Sequence, residues 1–297
     1  MALRDLGVLI AICLVWAGNS VMSKVLISHY GVPPLFYAAG RFVVVVIATL
    51  RWLLPAPRPL WRMIAVGILM GGGSFALSFM GLKTATPSDF AVVSQIGVPT
   101  SALLSVVMLG ERIRWRRALG IVLALSGVLI VMWNPAGLTP SPGMLYIAGS
   151  AITPALGAVM MKQIEGVSPW RFQAWVGFSS LWPVALLSAL TETGQGAVLD
   201  HAFWPYVGGV LFSALVVSVA AHTAFYGLIR KYEVNLLQPL TLMTPLATIA
   251  LGVLITHDPF GPRMAIGTAV ALTGVAIIAL RRNHVMAPLA LVRRAMT

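Results

Sequence analysis

The stretch FMGLKTATPSDFAVVSQIGVPT, residues 79–100, has an echo in FYGLIRKYEVNLLQPLTLMTPL, residues 225–246. Gly81-Leu82 returns as Gly227-Leu228 and Pro99 returns as Pro245, each 146 residues later. One inserted residue shifts the spacing to 147, and the echo then continues to Val131. Arg116, Gly120, Leu125, Gly127 and Val128 meet Arg263, Gly267, Leu272, Gly274 and Val275. A period of half the chain is too long for a solenoid and indicates two related halves.

Composition says what those halves are made of. A soluble chain of 297 residues would suggest about two domains, but 59 % hydrophobic and only 9 % charged residues exclude an ordinary soluble surface, as does a mean hydropathy of +0.91. The class is an all-α polytopic membrane protein. A spanning helix needs roughly 20 apolar residues, and runs bounded by Pro, Gly and charge predict ten, near 6–27, 34–54, 62–82, 88–109, 116–133, 143–162, 169–190, 203–228, 235–255 and 261–280. The opening residues have the look of a signal peptide, but the apolar run passes Asn19 and reaches Leu26, so they read as the first helix. Cys13, the single cysteine, permits no intrachain disulfide and reads as apolar packing.

The formal net charge of +12 does not indicate nucleic acid, because its placement is one-sided. Of the 20 Lys and Arg, 16 lie on the N-terminal side of the predicted helices, Lys83 and Arg263 lie opposite, and Lys24 and Arg41 fall inside apolar runs. The positive-inside rule then puts both termini in the cytoplasm, with anionic lipid head groups as partners of the basic turns. Five helices per half force the second half to enter the membrane upside down, which makes the halves inverted repeats.

Several positions have the character of a transport site. Pro99 and Pro245 fall mid-helix, where proline removes a backbone donor and frees the carbonyls of Gln95 and Thr241. Both of those residues also carry polar side chains. The eighth helix offers Ser218, His222 and Tyr226 at i, i+4, i+8, and a membrane histidine is a functional candidate by default. Ser74 and Ser78 follow Gly71-Gly72-Gly73 in the third helix, while Trp16, Asn19 and Lys24 lie in the first, with Lys24 able to snorkel outward. Arg41 either snorkels, the preferred reading, or partners an anion. Phe79, Trp175, Phe178, Trp182 and Phe225 are candidate aromatic walls.

All eight acidic residues fall at helix ends or in connections, so the midplane holds no carboxylate to pair with a cationic drug or to titrate. No His-Glu-x-x-His, paired-Asp, phosphate-loop or Gly-x-Ser-x-Gly pattern occurs. The alternatives are a membrane-embedded enzyme acting on lipid-linked substrates, without a motif to support it, an exporter of other drugs or metabolites, and a channel or non-transporting scaffold. No cofactor or metal is expected.

Val15-Trp16-Ala17-Gly18-Asn19-Ser20 with Lys24, Gly81-Leu82, Pro99, Leu109-Gly110-Glu111-Arg112 and the run from Leu119-Gly120 to Leu129 together resemble the drug/metabolite transporter superfamily, in particular its ten-helix exporters built from two EamA-type repeats. The likeness extends to bacterial amino-acid exporters, including those linked to aromatic amino acids. It implies a first repeat over residues 1–137, a second inverted repeat over 138–282 and a basic cytoplasmic tail over 283–297. It also implies an inner-membrane exporter of small neutral or zwitterionic metabolites working by alternating access, for which a monomer suffices because both repeats share one chain. The chain departs from the family pattern at Thr256-His257-Asp258, where a Gly-Glu pair is usual, and this weakens any symmetrical role for Glu111. The expected substrate lining is Trp16, Asn19, Ser78, Phe79, Gln95, Pro99, Trp175, His222, Tyr226, Thr241 and Pro245.

Overall fold

A computed structural model describes residues 3–109, 115–132, 141–161, 164, 166–231, 241 and 243–279. The predicted turn at Glu111 and the basic tail lie outside the described residues. Those described are helical with short connections, and no strand occurs among them. The helices are α1 (Leu3–Ser28), α2 (Pro34–Thr49), α3 (Leu60–Leu82), α4 (87–109), α5 (Trp115–Met132), α6 (Pro142–Met161), α7 (Pro169–Thr191), α8 (203–231), α9 (Met243–Ile255) and α10 (Pro262–Ala279). A short helix, Gln195–His201, fills the connection between α7 and α8. By length and composition α1, α3, α7, α8, and α2 together with the 3₁₀ turn Leu50–Trp52 that continues it, contain segments long and apolar enough to cross a membrane, and α5, α9 and α10 contain shorter apolar ones.

The packing repeats when the halves are exchanged. Helix α2 packs on α7, α5 on α10 and α4 on α9, each against its own counterpart in the other half. Several further contacts come as image pairs: α3 with α6 and α8 with α1, α1 with α9 and α6 with α4, α3 with α7 and α8 with α2. A pseudo-two-fold axis between two repeats produces this pattern. Where α5 crosses α10, the glycines of the sequence echo meet one another. A Cβ on Gly127 would lie 2.6 Å from the Gly267 carbonyl oxygen, and one on Gly274 would lie 2.6 Å from that of Gly120. The two contacts are images of each other, and they give small residues the close-approach role they have between membrane helices.

Glycines on α3 meet serines on α7 in a second close approach, and it changes the winding of the helix. Ser180 Oγ accepts from the Gly72 N–H at 2.7 Å and donates to the Gly67 carbonyl at 3.1 Å. The hydroxyl thus stands between a donor and an acceptor five residues apart, and Ile68–Gly73 opens into π-helical turns there. Its counterpart lies in α8, where Phe212–His222 is also π-helical. Ser180→Ala is expected to leave the Gly72 N–H without its side-chain partner and to cost about 0.6–1.7 kcal/mol, the range for a hydrogen bond between membrane helices. Thermal unfolding in detergent measures this, and an unchanged midpoint would contradict it.

Helix starts are capped by carboxylates at one end of the bundle. Thr86 and Asp89 form a reciprocal capping box at the start of α4. Asp258, from the α9–α10 connection, accepts from the Ser88 N–H at 2.9 Å and from the Thr256 hydroxyl at 2.6 Å. Glu192, at the end of α7, accepts from the N–H groups of Leu35 and Phe36, both at 2.8 Å, at the start of α2. Lys24 donates to the Leu82 carbonyl at 3.0 Å, so its ammonium caps the end of α3. The Asp258 and Glu192 contacts join the two repeats at that end, where helix N-termini favour negative charge and C-termini positive.

Candidate functional site

Three helices change their winding, α3, α4 and α8, and a cavity of about 340 Å³ lies among them and α9. Helix α4 tightens to a 3₁₀ turn over Ser94–Ile96, four residues ahead of Pro99, where the proline ring cannot accommodate an ordinary turn. The described part of α9 begins at Met243 with Pro245 in its first turn. The Thr241 carbonyl, predicted to be freed by Pro245, instead accepts from the Thr244 N–H at 2.9 Å. Helices α3 and α8 carry the π-helical segments.

Of the residues predicted from sequence, Trp16, Asn19, Ser78, Gln95, His222, Thr241 and Pro245 line this cavity. Ser94, Gln95 and Thr248 turn their side chains back on carbonyls of their own helices, Ala91 for the first two and Thr244 for the third. Among the described lining residues three groups keep unspent polar capacity: the buried Trp16 Nε1 donor, the Asn19 Oδ1 acceptor and the Thr244 hydroxyl have no hydrogen-bond partner. Trp16 packs edge-on against Phe225 at 5.0 Å and tilted against His222 at 5.2 Å. His222 Nδ1 in turn approaches the Val217 carbonyl at 2.7 Å. Among the described residues, no lining side chain apart from the imidazole is acidic or basic.

Three predicted positions lie elsewhere. Phe79 is only 1 % exposed and packs on Tyr37 of α2 with ring centroids 4.7 Å apart, because its position on α3 faces the α2 core. Pro99 is buried but outside the lining; its effect reaches the cavity through the α4 turn before it. Trp175 belongs to a separate cluster with Met63, Val66 and Phe172, and its indole N–H donates to the Leu53 carbonyl at 3.0 Å. The Tyr226 side chain lies outside the described residues. The lining also includes residues that the sequence reading missed, among them Phe75, Phe90, Ser94, Thr244 and Thr248. Thr241, Thr244, Pro245 and Thr248 fall at i, i+3, i+4, i+7, a helical face that was visible in the sequence.

The EamA-like transporter family matches residues 5–133 and, a second time, residues 141–280. The chain belongs to this family. Its relatives include a Salmonella typhimurium protein named "Probable amino-acid metabolite efflux pump", 25% identical over 287 residues that span 93% of this chain and 95% of that protein. An Escherichia coli protein of the same name is 22% identical over 286 residues, with the same two coverages of 93% and 95%. A third, named "Uncharacterized inner membrane transporter YedA" in Escherichia coli, is 24% identical over 265 residues, 83% of this chain and 81% of that protein. A solved chain described as "Crystal structure of protein" shares the fold over 100% of both chains, with a TM-score of 0.63 and 21% identity.

This EamA-like transporter also holds a buried cation beside its cavity. Arg41 does not snorkel: its residue is 0% exposed, and its guanidinium carbon stands 3.6 Å from the centre of the Phe75 ring. Nε donates to Ser218 Oγ at 2.9 Å and Nη1 to Ser213 Oγ at 2.8 Å. The π winding of α8 explains how one side chain meets both serines, since an i→i+5 ladder stacks residues five apart. In an ordinary α-helix, residues five apart diverge. Ser218 was therefore assigned by sequence spacing to a face with His222, whereas its closest polar company is Ser213 and Arg41. Among the described residues no group of three or more His, Cys, Asp or Glu is placed to hold a metal ion.

Proposed function

We propose that this protein is a bacterial inner-membrane exporter that moves small neutral or zwitterionic metabolites, amino acids above all, by alternating access, and that it is not an enzyme. Both termini are cytoplasmic in this reading, the repeats 1–137 and 138–282 rock about the cavity between them, and one chain is the working unit. The observation that carries the reading is the cavity itself. It is walled by both halves, holds about 340 Å³, and is lined by residues that carry an unpartnered buried indole donor and amide acceptor, with no acidic, lysine or arginine side chain among the described lining residues. A pocket near the small end of the ligand-site range suits a metabolite-sized solute, and neutral polar groups suit one without net charge. The name "amino-acid metabolite efflux pump" borne by two relatives supports the same substrate class.

Uptake of labelled leucine and phenylalanine into proteoliposomes tests it. Asn19→Ala and Gln95→Ala are each expected to slow saturable uptake about tenfold, which corresponds to roughly 1.4 kcal/mol of lost interaction. Wild-type rates in both variants would remove this cavity from the transport path while leaving the transporter class intact. An imposed pH gradient is expected to change the rate little, because the lining offers no carboxylate to load with a proton; strong acceleration would contradict that part of the mechanism.

A further inference from the structure

A small pocket of about 20 Å³ adjoins the main cavity, bounded by Arg41, Met70, Phe75, Gln173, Ser218 and His222 among others. Phe75 and His222 line both spaces and form the wall between them. The pocket holds an unsettled charge. The Arg41 guanidinium uses two of its nitrogens on serine hydroxyls and rests on the Phe75 ring, while Nη2 is buried without a hydrogen-bond partner. Among the described residues lining the pocket there is no carboxylate, and Asp89, Glu192 and Asp258 are engaged at helix ends, on Thr86, on Leu35 and Phe36, and on Ser88 and Thr256. Hydroxyls and an aromatic face soften a buried guanidinium but do not neutralise it, and an uncompensated buried charge is costly.

We infer that this pocket is an anion subsite of the transport cavity, in which Arg41 receives a carboxylate or a comparably small monoanion. The donor geometry suits that chemistry, because a guanidinium presents planar paired N–H groups that match a carboxylate. Gln173 contributes an amide from the second repeat, and the serines hold the guanidinium in place. The pocket as it stands has room for little more than one water-sized particle. A solute in the main cavity therefore reaches Arg41 when the Phe75 side chain swings out of the wall. The solute-carboxylate source rests on the amino-acid reading above, whereas the anion site itself does not.

The test titrates purified protein in nanodiscs with sodium acetate at constant ionic strength, the bulky sulfonate anion of HEPES serving as the balancing anion, and follows the thermal unfolding midpoint. Acetate is expected to raise the midpoint saturably in wild type and to have lost at least about tenfold in apparent affinity in Arg41→Gln, as a lost charge-assisted contact predicts. No saturable acetate effect in wild type, or an equal one in Arg41→Gln, overturns the site. Should Arg41→Gln not fold, Phe75→Ala keeps the cation and removes the wall; it is expected to tighten acetate binding severalfold, and unchanged affinity overturns the site. Two further arms assign the source. Competition by leucine, with isoamylamine of the same carbon skeleton failing to compete, supports the solute carboxylate. Competition by chloride without leucine supports the site as one for a free anion and counts against the amino-acid reading alone.

Discussion

Gly127→Ala is expected to prevent the two repeats from closing on each other and to leave little folded protein in detergent. The added methyl would overlap the Ala271 backbone nitrogen and fall 2.6 Å from both the Ala271 Cα and the Gly267 carbonyl oxygen. Backbone atoms of a packed helix cannot step aside as a flexible side chain can, so α5 and α10 must separate along their crossing. Overpacking of this kind costs about 1–3 kcal/mol or more, and here it also loosens the contact on the symmetry axis. Gly274→Ala is expected to cost a similar amount, because its methyl meets Ala124 and the Gly120 carbonyl in the image contact. Gly208→Ala is the control: nothing lies within 4 Å of a Cβ there, and alanine in a helix is intrinsically favoured by up to about 1 kcal/mol. Size-exclusion profiles and thermal midpoints of the three variants decide the matter; equal behaviour of Gly127→Ala and Gly208→Ala would refute the close approach.

Glu192→Ala is expected to free the start of α2 from α7. The carboxylate accepts from two backbone N–H groups, and the Ser188 hydroxyl donates to it at 2.9 Å, so it satisfies three donors at once. Removing it strands amide groups at a helix N-terminus, where capping alone is worth about 0.5–2 kcal/mol and charge adds to it. Glu192→Gln keeps one acceptor oxygen and is expected to lose roughly half as much. Because the same end carries the Asp258 contact to Ser88, the double variant Glu192→Ala, Asp258→Ala tests whether the two carboxylates act as one clamp between repeats. Losses beyond additivity in the thermal midpoint support a shared clamp, and strict additivity marks two independent caps.

Some of this was legible in the residues. The proline at 99 marked the change of winding in α4, and the polar residues four before each proline, Gln95 and Thr241, line the cavity. Asn19 and Trp16 were legible as polar groups in a helix with no other reason to hold them. Phe79 and Trp175 were misplaced because aromatic character does not say which way a residue faces. In a soluble helix an apolar stripe marks the buried side. In a membrane helix the lipid-facing and protein-facing sides are about equally apolar, so that stripe is missing. Ile47 at 70% and Leu254 at 72% exposure illustrate outward faces that composition alone does not separate from the core.

The sequence by itself determined the membrane class, the two related halves and the glycines on which they meet, because each depends on residue type repeated at fixed spacing. Tertiary structure decided the winding of α3 and α8. Ser180 reaches the α3 backbone from a helix more than a hundred residues away in sequence, and Ser218 and His222 turn back on carbonyls five residues earlier. That winding brings Ser213 and Ser218 together beneath Arg41, holding a buried cation beside the cavity. Such an arrangement depends on which side chain enters which backbone, and neighbours that are distant along the chain settle it.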